Sequence, residues 1–142
     1  MCTCQSQFCF GVVHHVMYTR RGDTKGLDAA RKQLKLETEA ELRAFAEEAC
    51  FLVACQTQYV SATGKHPHVL ELLGVCLSRA GGERPFILTE FMRGGSLDTY
   101  LYDRPPIPWI QRLQFLVDVA TGMAYLHLMH KSVHLDLKPV PV

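Results

Sequence analysis

Thr38-Glu39-Ala40-Glu41 opens a single amphipathic helix inside a first half that otherwise reads as strands. The four residues fit the S/T-x-x-E capping box, in which the two side chains satisfy orphan amides at a helix start. Behind them Leu42, Phe45, Ala46, Ala49, Leu52 and Val53 recur at helical spacing, while Glu41, Arg43 and Glu47 lie off that stripe. Acidic residues crowd the first turns, where the helix dipole favours them. Upstream, residues 8–18 (FCFGVVHHVMY) mix β-branched and aromatic residues and predict a strand, with RRGDTKG as the turn after it. Residues 27–36 (LDAARKQLKL) are ambiguous between strand and helix. Downstream, TQYVSATGK is a loop. HVLELLGVCL and PFILTEF are apolar runs of strand length around the turn-like SRAGGER, which predicts an antiparallel hairpin.

After Phe91 the pattern changes for good. RGGSLDTYLYDRPPIP reads as loop, short helix and proline-rich break, and Pro108 suits the first turn of the next helix. That helix carries Leu113, Leu116, Val117, Ala120 and Ala124 on one stripe. Strands with one helix, followed by helices only, predict an α+β layout with a small antiparallel-sheet half and a helical half.

Composition narrows the function classes. With 142 residues, 48% hydrophobic and 20% charged, the chain is core-forming rather than disordered. Fifteen Lys and Arg against fourteen Asp and Glu leave a net charge of +1. A sequence pI near 7.7 falls short of the roughly 9 expected of a nucleic-acid-binding domain. No apolar run approaches the roughly 18 residues of a membrane span. The N-terminus has no cationic segment of a signal peptide, so a cytoplasmic chain is expected. Six cysteines, Cys2, Cys4, Cys9, Cys50, Cys55 and Cys76, raise the question of metal or disulfides. The C-x-C spacing of the first pair and the lack of a second knuckle favour buried free thiols, acting as small apolar residues, over zinc, so no metal site is expected.

PFILTEFMRGGSLDTYL, DVATGMAYLH and SVHLDLKP together resemble the hinge, long helix and catalytic loop of a eukaryotic protein kinase of the tyrosine-kinase and tyrosine-kinase-like type. HPHVLELLGVC resembles the segment that such kinases place between the small-lobe helix and the next strand. The resemblance runs from about Phe8 to Pro139. It implies a partial kinase domain over residues 1–142, with a small lobe at about 8–91 and the hinge and start of the large lobe at about 92–142. Its cofactors would be ATP and magnesium, and its partner a protein substrate or signalling protein.

The resemblance also implies site residues. Ala29-Ala30-Arg31-Lys32 stands where kinases carry V-A-I-K, making Lys32 the candidate for the α and β phosphates and Ala30 the small residue over adenine. Glu48 is the candidate partner of Lys32, because it borders the buried stripe three residues after Phe45, whereas Glu47 points about 100° away. Phe10-Gly11-Val12-Val13 resembles the end of a glycine-rich loop, with Gly11 the third glycine and Val13 the valine that covers the base. Ser6 and Phe8 occupy the first two glycine positions, a departure from the pattern. Thr89 resembles the small residue behind the adenine, and Glu90 and Met92 would offer backbone hydrogen bonds to it.

The catalytic loop departs further. His134-Leu135-Asp136-Leu137-Lys138 resembles H-R-D-L-x, with Asp136 as the candidate general base and Lys138 as the lysine near the γ-phosphate. Leu135 replaces the arginine and Pro141 the magnesium-binding asparagine. No Asp-Phe-Gly or Ala-Pro-Glu occurs in these residues, so the magnesium ligands of the family are absent from the chain. Two readings result: a truncated and impaired kinase domain, or a pseudokinase-like module that binds nucleotide or a partner without chemistry. Either leaves the stripe on the long helix with few partners.

Overall fold

The computed structural model describes residues 11–20, 22–35, 38–57, 65–77, 84–102, 106–131, 134 and 137. Four strands and three helices follow in order: β1 (Gly11–Tyr18), β2 (Leu27–Leu34), α1 (Glu39–Thr57), β3 (Leu72–Cys76), β4 (Phe86–Glu90), α2 (Leu97–Tyr102) and α3 (Trp109–His130). The strands form one antiparallel sheet in the order β1-β2-β4-β3. The α+β layout is therefore observed. Residues 8–10 of the predicted first strand, and most of the loops 57–65 and 78–84, lie outside the described residues.

β2 resolves the ambiguity in the sequence. Its residues, Ala, Arg, Lys, Gln and Leu, favour helix when taken alone. Pairing on both edges, with β1 from Tyr18↔Leu27 to Gly11↔Leu34 and with β4 from Ala29↔Glu90 to Gln33↔Phe86, makes them an inner strand instead. The turn between β1 and β2 closes through Asp23 N–H to the Arg20 carbonyl at 2.9 Å. Gly22 within it takes φ +99°, which only glycine adopts without strain.

The capping box forms as the sequence predicts. Thr38 N–H donates to Glu41 Oε2 at 2.8 Å, and Glu41 N–H donates to Thr38 Oγ1 at 3.3 Å. α1 then divides its apolar face between two clusters. Phe45 and Ala49 pack with Leu34 and Ile87 under the sheet, joined by Leu52, Leu72 and Val75. One turn on, Cys55 packs with Tyr125 and Leu126 of α3, joined by Phe51, Val69 and Met123. Val53, placed on the buried stripe by spacing, is 44% exposed. It lies about 80° round from Phe45 on the side opposite Cys55, and α3 covers the Cys55 side.

α3 contacts the rest through a face the periodicity does not single out. Gly122, Tyr125 and Leu126 are its buried residues, whereas Leu116 and Val117 are 64% and 56% exposed. A Cβ on Gly122 would lie 2.6 Å from the His68 carbonyl oxygen, so glycine is required for this approach. Tyr125 donates its hydroxyl to the Cys55 carbonyl at 2.5 Å. Burial pushes the Cys55 thiol up to about 11. Pro108 stands one residue ahead of its expected place, at the N-cap with ψ 142°, and its carbonyl accepts the Gln111 and Arg112 amides. No described helix is long and apolar enough to cross a membrane.

Candidate functional site

Side chains on a strand alternate between faces, and directly paired residues share a face. Val13 pairs with Lys32, Ala30 with Thr89, and Lys32 with Ile87. Val13, Ala30, Lys32 and Thr89 therefore lie on one face of the sheet. Ile87 and Leu34 on the same face are sealed by α1. On the same rung as Lys32 and Ile87, but at the β1 edge, Val13 is 54% exposed, which leaves an open apolar surface beside the lysine. Gly11 is the first residue of β1, opposite Leu34. Ser6 and Phe8 lie outside the described residues.

Lys32 Nζ donates to both carboxylate oxygens of Glu48, at 2.7 and 3.0 Å. Glu48 reaches the sheet because it follows buried Phe45 by three residues, while Glu47 is exposed. The two side chains remain 29% and 38% exposed. A pair this wet contributes on the order of 1 kcal/mol or less to stability. Its effect is to hold an ammonium group in a fixed position beside the open face.

The end of β4 is braced by the segment before β3. Glu90 N–H donates to the Glu71 carbonyl at 3.0 Å, and its Oε1 accepts the Glu71 amide at 2.9 Å. Lys65 adds a 2.8 Å ion pair to Glu71 and lies 4.0 Å from Glu90. Opposite charges raise the Lys65 pKa, the hydrogen bond to Glu71 foremost. This use of the Glu90 side chain was not legible in the sequence, which pointed only to its backbone. Met92 is 54% exposed. Its carbonyl accepts Gly95 N–H at 3.1 Å, in a turn where Gly95 takes φ +75°. An open cavity of about 240 Å³ behind this segment is lined by Pro67, Val69, Glu90 and Met92 among others, and by neither Ala30 nor Lys32.

A second cluster that spacing missed lies at the mouth of the open face. Asp28 accepts hydrogen bonds from His15 and from Arg93, and the His15 ring stacks on Phe91. Asp28 and Arg93 stand 65 residues apart, and no local pattern links them.

Of the expected catalytic loop, His134 and Leu137 are described and exposed. Asp136 and Lys138 lie outside the described residues, as do Leu135 and Pro141. Among the described residues no group of three or more His, Cys, Asp or Glu side chains is arranged to hold a metal ion. Cys2, Cys4 and Cys9 are also outside the described residues; Cys55 is a buried free thiol as expected, whereas Cys50 is a free thiol on the exposed side of α1.

Residues 6–139 match the family described as protein tyrosine and serine/threonine kinase. U-box domain-containing protein 34 of Arabidopsis thaliana is 34% identical over 116 residues, which cover 78% of this chain and 13% of that protein. L-type lectin-domain containing receptor kinase V.9, also of Arabidopsis thaliana, is 32% identical over 84% of this chain and 17% of its own length. RasGEF domain-containing serine/threonine-protein kinase X of Dictyostelium discoideum is 30% identical over 83% of this chain and 11% of its own length. The chain thus spans a small fraction of the curated relatives it matches.

Proposed function

Because the chain belongs to the protein tyrosine and serine/threonine kinase family, we propose that it forms the ATP-binding part of a protein kinase domain. Residues of about 8–91 would be the small lobe, and about 92–142 the hinge and the start of the large lobe. The family uses ATP and magnesium and acts on protein substrates. The observation that carries the reading is the Lys32–Glu48 pair, which holds an ammonium group beside the face shared by Val13, Ala30 and Thr89. An adenine ring would lie against Val13 and Ala30 with Thr89 behind it, its edge toward the backbone of Glu90 and Met92. The α and β phosphates would meet Lys32, which Glu48 keeps pointed into the cleft. Gly11 at the start of β1 would let the backbone approach them.

For chemistry, Asp136 would accept the proton of the substrate hydroxyl and Lys138 would steady the γ-phosphate. The chain falls in the tyrosine-kinase-like group on this reading. Leu137-Lys138-Pro139 resembles the serine/threonine form of the loop, and the Dictyostelium relative is a serine/threonine-protein kinase by name. The free thiols Cys50 and Cys55 support a reducing, cytoplasmic setting.

Ser6, Phe8, Leu135 and Pro141 favour a second reading, a pseudokinase-like module that binds nucleotide or a partner without transfer. Losing one preorganised stabilising donor typically costs about 10²–10³ in rate, and proline at 141 offers a metal no oxygen. Incubation with γ-labelled ATP and serine, threonine and tyrosine peptides separates the two. Label on any peptide, lost in Asp136→Asn, supports the kinase reading. Nucleotide binding without label supports the second. Absence of both contradicts each.

A further inference from the structure

Asp28 lies on β2 two residues before Ala30 and four before Lys32, so all three share the open face. Its carboxylate joins three segments of chain. Oδ1 accepts from His15 Nε2 of β1 at 2.8 Å. Oδ2 accepts from Arg93 Nη2, beyond the end of β4. The His15 ring in turn stacks on Phe91, with centroids 4.1 Å apart and planes at 24°. Phe91 and Arg93 are the two chain neighbours of Met92. Both flanks of Met92 are therefore tied to one carboxylate, directly on one side and through an imidazole on the other.

We propose that Asp28 is a positioning residue for adenine recognition: it holds residues 91–93 against the β1–β2 ribbon and so fixes the Met92 backbone. The inference rests on the nucleotide reading above. It does not require the cluster to stabilise the fold. Arg93 is 79% exposed and His15 51%, and exposed pairs contribute little to folding free energy and weaken with salt. Misplacement of a recognition group is a different matter, since small displacements erode binding geometry that took no extra contacts to establish. Residues 91–96 belong to no strand or helix, so the side-chain ties at Phe91 and Arg93 fall where ladder hydrogen bonds have ended. Asp28 does not reach the phosphate end, which belongs to Lys32.

That division makes the test specific. Asp28→Ala and Asp28→Glu are compared with the parent chain in titrations with adenosine and with ATP, alongside amide hydrogen exchange at Phe91, Met92 and Arg93 without ligand. Asp28→Ala is expected to weaken adenosine and ATP by the same factor, roughly fivefold, as the loss of two exposed hydrogen bonds to one carboxylate would give. It should also speed exchange at Met92, and Asp28→Glu should restore both. A purely structural role would move neither the adenosine affinity nor the Met92 exchange selectively. Unchanged exchange at Met92, or a loss confined to ATP, overturns the positioning role. Failure of the parent chain to bind either ligand overturns the nucleotide reading instead, with the exchange data still deciding whether Asp28 orders the segment.

Discussion

The His66 imidazole lies flat on the Tyr125 ring, with centroids 4.6 Å apart and planes at 15°. This contact, with the Tyr125 hydroxyl on the Cys55 carbonyl, joins the segment before β3 to α1 and α3. His66 Nδ1 accepts the His68 amide at 3.2 Å, which requires the neutral ring. Burial, and then the nearby His68, lower the His66 pKa from its ordinary 6.5. Around the joint stand His68 with Asp118 at 3.8 Å, Lys65 with Glu71, and His130 edge-on to Tyr125.

As pH falls through 6.5 the unfolded chain takes up the His66 proton before the folded one, so stability falls from about pH 6.5 downward. The decline from this group ends once pH passes the lowered folded value. His66→Phe keeps an aromatic stack and removes the titration. Urea unfolding from pH 7.5 to 5 should show a shallower acid limb for His66→Phe than for the parent. Identical slopes would show that His66 does not couple to folding.

Gly122 should not tolerate a methyl group. Alanine in a helix gains up to about 1 kcal/mol over glycine. Here its Cβ would meet the His68 carbonyl at 2.6 Å, and overpacking of this kind costs about 1–3 kcal/mol. The clash is against backbone and should win. Gly122→Ala is expected to lower the urea midpoint, and Gly122→Val to lower it further. An Ala variant more stable than the parent would show that α3 can slide off this contact.

The apolar face of α3 should make the chain associate. Trp109, Ile110, Leu116, Val117 and Leu128 are between 56% and 77% exposed, and contiguous patches of this type drive association. Light scattering should rise with concentration for the parent chain and fall for Leu116→Glu with Val117→Lys. Because the exposed Leu116 and Val117 side chains are not among those that line the cavity at Glu90 and Met92, nucleotide affinity should stay within twofold in the double variant. A parent chain that remains monomeric at high concentration would contradict this.

What the sequence revealed and what it hid divide by distance along the chain. The capping box at Thr38 and Glu41 is a three-residue pattern, and it forms as read. The Lys32–Glu48 contact spans sixteen residues, yet helix phase and the family pattern together pointed to Glu48. β2 was undecidable because its residues favour helix and only pairing on both edges makes it a strand. The buried face of α3 was missed because Gly122 and Tyr125 carry weaker apolar signals than the exposed Leu116 and Val117. The Asp28–His15–Arg93 cluster has no local signature, since it exists only where three segments converge.

A nucleotide site built around Lys32 is open to a titration of ATP followed by backbone amide shifts. ATP should move the amides of Val13, Ala30, Thr89 and Met92. Lys32→Met, which removes a charged donor worth about 1.5–3 kcal/mol, should weaken ATP roughly tenfold or more and leave adenosine nearly unchanged. Shifts that fall elsewhere, or an ATP affinity indifferent to Lys32→Met, would show that no nucleotide site is built around Lys32.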